Sequence, residues 1–351
     1  MTRKLDSAPW LVAFAACAAF FAAAVATVRA APTKSRCTKT TSPGRNLQRF
    51  VDTLPAGAVG CLTAGTYDVT RLVVRTRGRA GVTRTLRSSD PHRRATIKGS
   101  VWVAKSASYW TLEDLNFDGR NARNLPSPIV NGDHTTWRRV EITNHHAGDG
   151  GTSGGICFVL GDTSRWGIPH DTAIVQSRIH DCGVSDNGNH GIYIEATGGD
   201  TLIANNWIYR NGDRGIQLFP DAAHVLIVHN VIDGNGSGVI FSGTGPYASH
   251  HNVVSGNIIS NSQNRWNVES WYPNGVGGAV GNVVAGNCFW ASNVTPRYDH
   301  DGGIAPPDGF TVGSNVVEHP LYLARQRNDL RLTSGSGCSG YGPRRGRAPL
   351  W

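Results

Sequence analysis

Short apolar blocks recur along the middle of the chain at a nearly constant spacing. Four blocks carry an Asn before two apolar residues, spaced 24, 27 and 30 residues apart: Asn206, Asn230, Asn257 and Asn287. In a second series, a Gly precedes an alternating apolar segment: Gly155, Gly191, Gly215 and Gly238. Short β-branched segments bounded by Gly and Asn predict strands, and a fixed period of this length predicts stacked coils.

Stacking at about 4.8 Å places equivalent side chains of successive coils above one another. The pattern predicts two inward columns, Ile192–Ile216–Val239 and Ile194–Leu218–Phe241. The four Asn side chains are expected to form an internal amide ladder. Between the inward residues, one outward column is predicted to contain Tyr193, Gln217, Ile240 and Glu269.

The Asn ladder and the Gly-Ile-x-Ile frame resemble the repeats of right-handed parallel β-helix proteins of the pectin-lyase-like superfamily. Residues 47–51 resemble its short capping helix, and Gly65-Thr66-Tyr67 resembles the turn into its first coil. The resemblance implies an all-β fold, a single right-handed parallel β-helix (solenoid) with a short N-terminal capping helix. The predicted organisation is a signal peptide at 1–30, a linker at 31–46, the β-helix at 47–320, and a C-terminal cap and basic tail at 321–351.

The N-terminus predicts export. Arg3 and Lys4 precede an apolar run at residues 11–28, and Val28-Arg29-Ala30 has the small-residue spacing of a cleavage site. We therefore expect a secreted or extracytoplasmic protein, which would be membrane-tethered if the segment were not cleaved. No other stretch is long and apolar enough to predict a membrane span.

Cysteine usage agrees with export. Removing Cys17 with the signal leaves six cysteines, an even number typical of disulfides in an oxidising compartment. The sequence contains no C-x-x-C pair, so the cysteine spacing does not predict a zinc site. Several pairings are open to six thiols, and neighbours in sequence suggest Cys37–Cys61, Cys157–Cys182 and Cys288–Cys338.

Composition refines the choice of partner. The 43 Gly and the 17% charged residues suit a chain that bends every few residues. The net charge of +9 comes from the two ends, because residues 140–300 hold six Arg, no Lys and 13 acidic residues, together with ten of the 13 His. Export and the lack of a recognition helix argue against nucleic acid. We expect an acidic polysaccharide or cell-wall glycan as partner, and a monomer.

Candidate catalytic residues follow from the outward column. His190 and Arg214 precede strand glycines one coil apart, beside Tyr193 and Glu269. Abstracting the C5 proton of a uronate needs a base and a cation that neutralises the carboxylate. Arg214 is predicted to supply the cation, and His190 or Tyr193 the acid and base. The predicted substrate-binding residues on the same face are Glu195, Gln217, Phe219 and Trp271.

A second motif adds two residues. Ile168-Pro169-His170-Asp171 resembles the Asp-Pro-His-Asp/Glu motif of alginate C5-epimerases, with Ile168 in place of the first Asp. The resemblance implies a catalytic role for His170 and a substrate-binding role for Asp171.

The sequence assigns no metal or other cofactor. Ca²⁺ is a candidate through four aspartates, although no regular Asp-rich calcium repeat occurs. These are Asp149, Asp171, Asp181 and Asp186.

These features favour an exported β-helix that acts on an acidic polysaccharide by lyase or C5-epimerase chemistry. The sequence leaves open whether the protein is an enzyme. One alternative is a non-catalytic, cell-surface or extracellular glycan-binding β-helix. A second is a glycoside hydrolase, which would need two carboxylates roughly 5–10 Å apart, with Glu195 and Glu269 as candidates.

Overall fold

Parallel strands stacked in coils form the body of the computed structural model. It describes residues 36–145, 153–184, 188–275, 277–290 and 302–349. Numbered in chain order, the strands are β1–β30, and residues 37–351 form one compact unit. Successive strands of one coil lie on three different faces, which we call face A, face B and face C.

Face A is an 11-stranded parallel sheet. Its strands are β1 (Lys39–Thr41), β2 (Val59–Leu62), β4 (Arg84–Ser88), β6 (Ser108–Glu113), β9 (Asp133–Arg138), β12 (Thr172–Val175), β15 (Thr201–Ala204), β18 (Val225–Val228), β22 (Val253–Ser255), β25 (Val283–Val284) and β27 (Thr311–Val312).

Faces B and C belong to a second, bent sheet that β3 (Gly65–Val74) and β5 (Ala95–Val103) span in full. The other strands of face B are β7 (Asn116–Asp118), β10 (Glu141–Asn144), β13 (Arg178–Cys182), β16 (Trp207–Tyr209), β19 (Val231–Asp233), β23 (Ile258–Ser260), β26 (Cys288–Trp290) and β28 (Val316–Val317). The other strands of face C are β8 (Ile129–Val130), β11 (Phe158–Leu160), β14 (Ile192–Ala196), β17 (Arg214–Asp221), β20 (Ser237–Thr244) and β24 (Val268–Trp271).

Two short pairings are antiparallel. Strand β21 (Tyr247–Ala248) folds back on β20, and β29 (Tyr322–Ala324) pairs with β30 (Asp329–Leu332). The all-β single parallel solenoid that the repeats predict is therefore confirmed. Within the described residues, no helix has both the length and the apolar character to cross a membrane. The predicted signal peptide lies outside the described residues.

The core consists of inward columns, as the repeat predicts. On face C, the register aligns Ile192 with Ile216 and Val239, and all three side chains are fully buried. The second predicted column, Ile194–Leu218–Phe241, is aligned and buried in the same way. Because each inward side chain contacts its equivalents one coil away, burial of apolar surface is continuous along the stack.

The amide ladder lies between faces A and B. Each Asn Nδ2 donates to the Oδ1 of the next Asn, at 3.0 Å for Asn206–Asn230, 2.9 Å for Asn230–Asn257 and 3.0 Å for Asn257–Asn287. The ladder continues to Asn315, which the sequence analysis did not include. Two shorter ladders were also missed, Asn211–Asn235 and Asn252–Asn282. These amides satisfy buried backbone groups at the bends.

A six-residue helix, α1 (Leu47–Asp52), precedes β2. The Asn46 side chain accepts a hydrogen bond from the Arg49 N–H, a typical N-cap contact. Leu47 and Val51 are buried. The role of this segment as a cap of the solenoid stays a prediction, as do the domain boundaries. Strand β1 lies within the segment predicted as a linker.

Three disulfides join the six cysteines in the suggested pairs. They are Cys37–Cys61, Cys157–Cys182 and Cys288–Cys338, with Cα–Cα distances of 5.7, 5.4 and 5.6 Å. The predicted connectivity is confirmed. Such bonds are consistent with an extracytoplasmic location.

The C-terminal segment packs over the outer side of face B. Leu330 and Cys338 are buried in a second apolar cluster against Trp207 and Ile258. Arg178 Nε donates to the Pro349 carbonyl at 2.9 Å, which places the end of the segment over β13. Some of its basic side chains are paired, because Arg325 contacts Asp233 and Arg331 contacts Asp329. The segment therefore covers face B from β13 to β26.

The ladder makes a specific prediction for stability. In Asn230→Ala, the Asn206 N–H and side chain and the Ile203 carbonyl all lose buried hydrogen bonds. Each such loss costs about 1–3 kcal/mol, so we expect the free energy of unfolding to fall by at least ~2 kcal/mol in urea denaturation. Asn264, which is exposed, provides the matched control, and Asn264→Ala should change it by less than ~0.5 kcal/mol. Equal effects of the two substitutions would contradict a stabilising ladder.

Candidate functional site

A groove of about 640 Å³ lies on the outer side of face C, along β14, β17, β20 and β24. We call it the face C groove. Eight of the ten residues that the sequence predicts for the site line it: His190, Tyr193, Glu195, Arg214, Gln217, Phe219, Glu269 and Trp271. His170 and Asp171 do not.

Strand register assembles these residues. Tyr193 aligns with Gln217, Gln217 with Ile240, and Ile240 with Glu269. The predicted outward column is thus present, although the strands that carry it are distant in sequence. Successive members lie about 4.8 Å apart along the stack, so the column runs along the groove rather than across it.

A buried carboxylate holds the charged end of the groove together. The Asp213 side chain is 1% exposed, and its Oδ1 lies 2.7 Å from Arg265 Nη2. Its Oδ2 contacts Arg214 Nη1 and accepts the Gly188 N–H at 3.0 Å. Two guanidinium groups thus flank one buried carboxylate, which compensates the cost of burying it.

Glu269, on strand β24 of face C, joins the same network. Its Oε1 lies 3.3 Å from Arg265 Nε and 3.9 Å from Arg214 Nε. Asp213 and Arg265 were not predicted from the sequence, although Asp213 is adjacent to Arg214 and Arg265 lies four residues before Glu269. Both lie in the bends that precede face C strands, outside the strand columns from which the site was predicted.

Four buried polar atoms of the groove lack a hydrogen bond within the described residues. They are His190 Nδ1, Arg214 Nε, Gln217 Oε1 and Glu269 Oε1. His190 Nδ1 is 3.4 Å from Asp213 Oδ2, but the contact does not have hydrogen-bond geometry. A buried polar atom without a partner costs about 1–3 kcal/mol. Their convergence in one groove points to a polar ligand that supplies the missing bonds.

The environment shifts the pKa of three side chains that line the groove. Burial, with the charges of Arg214 and Arg265, lowers the pKa of His190 well below its ordinary value, so the ring is neutral at pH 7. Burial raises the pKa of Tyr193, which keeps its hydroxyl protonated. Burial also raises the pKa of Glu269, opposed by Arg265. A neutral imidazole therefore lies beside a protonated phenol.

Aromatic rings continue from His190 across the groove. Ring centroids are 5.7 Å apart for His190–Tyr193, 6.5 Å for Tyr193–Phe219 and 5.9 Å for Phe219–Trp271. Trp271 is 52% exposed and ends the row. Such a row offers apolar faces on which a ring-shaped ligand can stack.

Glu195 has a fixed partner. Its Oε1 accepts hydrogen bonds from the Thr163 N–H and hydroxyl, both at 3.1 Å. Burial and the nearby Asp162 raise its pKa. Glu195 therefore anchors the loop at Thr163 to the edge of the groove.

The Pro169-His170-Asp171 motif lies at the bend before face A. His170 Nδ1 is 3.2 Å from Asp133 Oδ1, and Asp171 Oδ2 is 2.8 Å from His134 Nδ1. The His170 ring packs against Gly198, where an added Cβ would be 2.3 Å from Nε2. The structure does not bring the motif into the groove with His190. The roles implied for His170 and Asp171 stay predictions without support from the groove geometry.

The aspartates suggested for Ca²⁺ do not fit that ion in the described residues. Asp171 pairs with His134, and Asp181 pairs with His180 and Arg210. Ca²⁺ needs six to eight oxygen ligands, and these carboxylates are already occupied by basic side chains. Asp149 and Asp186 lie outside the described residues.

Comparisons with known proteins agree with this architecture. The family model for the right-handed β-helix region matches residues 129–259. Pectate lyase Pel9A is similar in structure with a TM-score of 0.55 and 13% identity, covering 87% of this chain and 91% of that one. At this identity the likeness shows the fold. Together with the family model, it confirms the right-handed parallel β-helix fold that the repeats and the resemblance predict.

Two further structures match at lower scores. An alginate lyase from Paenibacillus sp. str. FPU-7 has a TM-score of 0.47 and 14% identity, covering 80% of this chain and 100% of that one. The A-module of the mannuronan C-5 epimerase AlgE4 from Azotobacter vinelandii has a TM-score of 0.38 and 18% identity, covering 77% and 90%. No curated protein sequence matches the chain.

The buried network predicts a large effect of its central carboxylate. Asp213→Ala leaves the mostly buried Arg214 without its main partner, and breaking a buried ion pair costs about 3–5 kcal/mol. We expect the free energy of unfolding to fall by that amount in chemical denaturation. Asp68, exposed on β3, is the control, and Asp68→Ala should have little effect. An Asp213→Ala protein as stable as Asp68→Ala would show that the network does not organise the groove.

Proposed function

We propose that the protein is an exported enzyme that acts on an acidic polysaccharide in the face C groove, by lyase or C5-epimerase chemistry. The observation that carries the proposal is the convergence of buried polar atoms of His190, Arg214 and Gln217 that lack a hydrogen bond, beside an aromatic row. The fold supports it only as a scaffold, because fold alone does not fix chemistry.

Arg214 is the proposed carboxylate-binding group. The C5 proton of a uronate becomes acidic only when the neighbouring carboxylate is neutralised, because negative charge develops there on deprotonation. Arg214 Nε has no hydrogen-bond partner, while Nη1 of the same group is held by Asp213. Asp213 thus fixes the guanidinium in place, and its Nε–H is not engaged in a hydrogen bond by any described residue.

His190 and Tyr193 are the proposed base and acid. His190 takes the proton as the C5–H bond breaks. The electron pair of that bond forms the C4=C5 double bond while the C4–O bond breaks. The Tyr193 hydroxyl gives its proton to the leaving oxygen. In an epimerase the C4–O bond stays intact, and a proton returns to C5 from the opposite side. The neutral state of His190 and the protonated state of Tyr193 suit these roles.

A second aromatic patch extends the proposed binding surface. Trp102 aligns through Ile129 and Val159 with Tyr193, so it lies about 14 Å along the same outward column. Trp166 packs edge-on against Trp102 at 5.4 Å, and Lys105 and Arg165 line the same hollow. Cations beside stacking surfaces suit a polymer with repeated carboxylates.

The rival function is non-catalytic glycan binding. It is favoured by the pairing of Arg214 and Arg265 with Asp213 and Glu269, which balances the charge of the groove without a substrate. The glycoside hydrolase reading has less support, because Glu195 is held by Thr163 and Glu269 by Arg265. Secretion and a monomeric state belong to the proposal as predictions.

Replacing Tyr193 by Phe tests the chemistry without removing the ring. We expect Tyr193→Phe to lower kcat by about 10²–10⁴, the usual contribution of a general acid, with little change in binding of the polymer. Activity on alginate, pectate and glycosaminoglycans is followed by the absorbance of unsaturated uronate, and epimerisation by proton exchange at C5. Tyr209→Phe, which removes a buried hydroxyl on face B, is the matched control and should retain full activity.

Two outcomes would count against the enzyme. Polymer binding without product or C5 exchange would establish the binding protein instead. Equal activity of Tyr193→Phe and Tyr209→Phe would place the chemistry elsewhere even if the substrate class is right.

The two aromatic patches predict a dependence on chain length. We expect Trp271→Ala to weaken binding of short and long uronate chains alike, by about tenfold. Trp166→Ala should weaken the binding only of chains that are long enough to reach from the groove to Trp102. Affinities for a size series of oligouronates, measured by calorimetry, check this. A loss for short chains in Trp166→Ala would contradict the proposed path of the polymer.

A further inference from the structure

Three histidines meet at the bend between faces C and A, at the other end of β17 from Arg214. His224, His250 and His251 each have a ring nitrogen within 4.8 Å of those of the other two. The Nδ1 atoms of His250 and His251 are 2.9 Å apart. None of the three lines the face C groove.

Equivalent positions in two successive coils bring these rings together. The isolated bridge between Ala223 and His250 sets His224 level with His251. Their rings are nearly parallel, with an interplanar angle of 9° and centroids 5.3 Å apart. The plane of the His250 ring is nearly perpendicular to both, at 84° to the His224 ring and 87° to the His251 ring. The stack therefore holds three nitrogens around one point at the surface.

The backbone under the rings is fixed by one buried amide. Asn252 Oδ1 accepts the Val225 N–H at 2.9 Å, directly after His224. Asn252 Nδ2 donates to the Ala222 carbonyl at 2.9 Å, and its own N–H donates to Asn282 Oδ1. Because Asn252 also follows His251 in the chain, the same residue positions both histidines. Their geometry is set before any ligand binds.

Backbone geometry alone does not require imidazole here. His224 and His251 have φ of 55° and 54°, a left-handed conformation that Gly, Asn and Asp also adopt. The next coil uses Gly281, with φ of 71°, immediately before Asn282. His134 and His229 are also left-handed, so it is the third ring within ligand distance, and not the backbone, that sets His224 and His251 apart.

We propose that His224, His250 and His251 bind one divalent transition-metal ion, such as Zn²⁺, through their ring nitrogens. Imidazole suits zinc, copper and nickel, whereas Ca²⁺ and Mg²⁺ prefer oxygen ligands. Three histidines leave a fourth, tetrahedral position open to solvent, since His224 and His251 are exposed. Asp221, close enough to interact electrostatically with His250, supplies a compensating negative charge.

Zinc binding to the purified, tag-free protein tests the proposal. ZnCl₂ is titrated in competition with a chromogenic chelator, and bound zinc is counted by mass spectrometry after gel filtration. We expect one Zn²⁺ per chain. His224→Asn and His251→Asn keep a residue that tolerates the left-handed backbone, and each should weaken binding by at least about tenfold. His92→Asn, at an exposed histidine elsewhere, should bind as the wild type does.

Thermal unfolding supplies the second readout. Zinc should raise the unfolding midpoint of the wild type and of His92→Asn, because it binds the folded chain, and leave those of the two variants unchanged. His250→Gln, at a position without a left-handed backbone, keeps the test open if an Asn variant fails to fold. No zinc at micromolar concentration in the wild type would overturn the site. So would equal binding by wild type and all three ligand variants.

Discussion

Parallel stacking at about 4.8 Å is the constraint on which the rest of this molecule depends. Residues of the stacked strands lie over their equivalents in the next coil. A buried side chain is therefore tolerated only if it can pack against those equivalents or form hydrogen bonds with them. Apolar residues meet this condition by packing, as in the column Ile192–Ile216–Val239. Buried polar residues meet it only when each can donate to the next, which the amides of Asn206, Asn230 and Asn257 do.

The same constraint builds the groove. An outward column collects residues that are remote in sequence onto one strip of surface, so Tyr193 and Glu269 share a groove although 76 residues separate them. The outward column has a regular spacing, and the charged residues that give the groove its chemistry lie at the edge of this column. Asp213 is buried beneath two guanidinium groups and orients both, while Arg214 Nε and His190 Nδ1 at the edge of the groove lack a hydrogen bond within the described residues. Preorganised polar atoms of this kind contribute to binding and catalysis because no reorganisation is needed when the substrate arrives.

Repetition also explains what the sequence could predict. The stacked coils, the inward columns, the first amide ladder, the disulfide pairs and eight groove residues all follow from the repeat or from neighbours in the chain. Asp213 and Arg265 were missed because they lie in bends, where the alternation of a strand does not say which way a side chain points. The Pro169-His170-Asp171 motif was matched on three residues, which do not specify the face that the segment adjoins, and it lies directly before face A. The return of the C-terminal segment over face B, with Leu330 and Cys338 buried there, had no periodic signal at all.

The most direct test of the account is a crystal structure of the protein with a bound uronate oligosaccharide. The account predicts that the chain lies along the outward column of face C, with one carboxylate on Arg214 and a sugar ring against the row from Tyr193 to Trp271. Because β17 continues to the bend that bears His224, the same crystals would show whether glycan and metal sites stay separate. An oligosaccharide bound to another face, with the face C groove empty, would contradict the central claim.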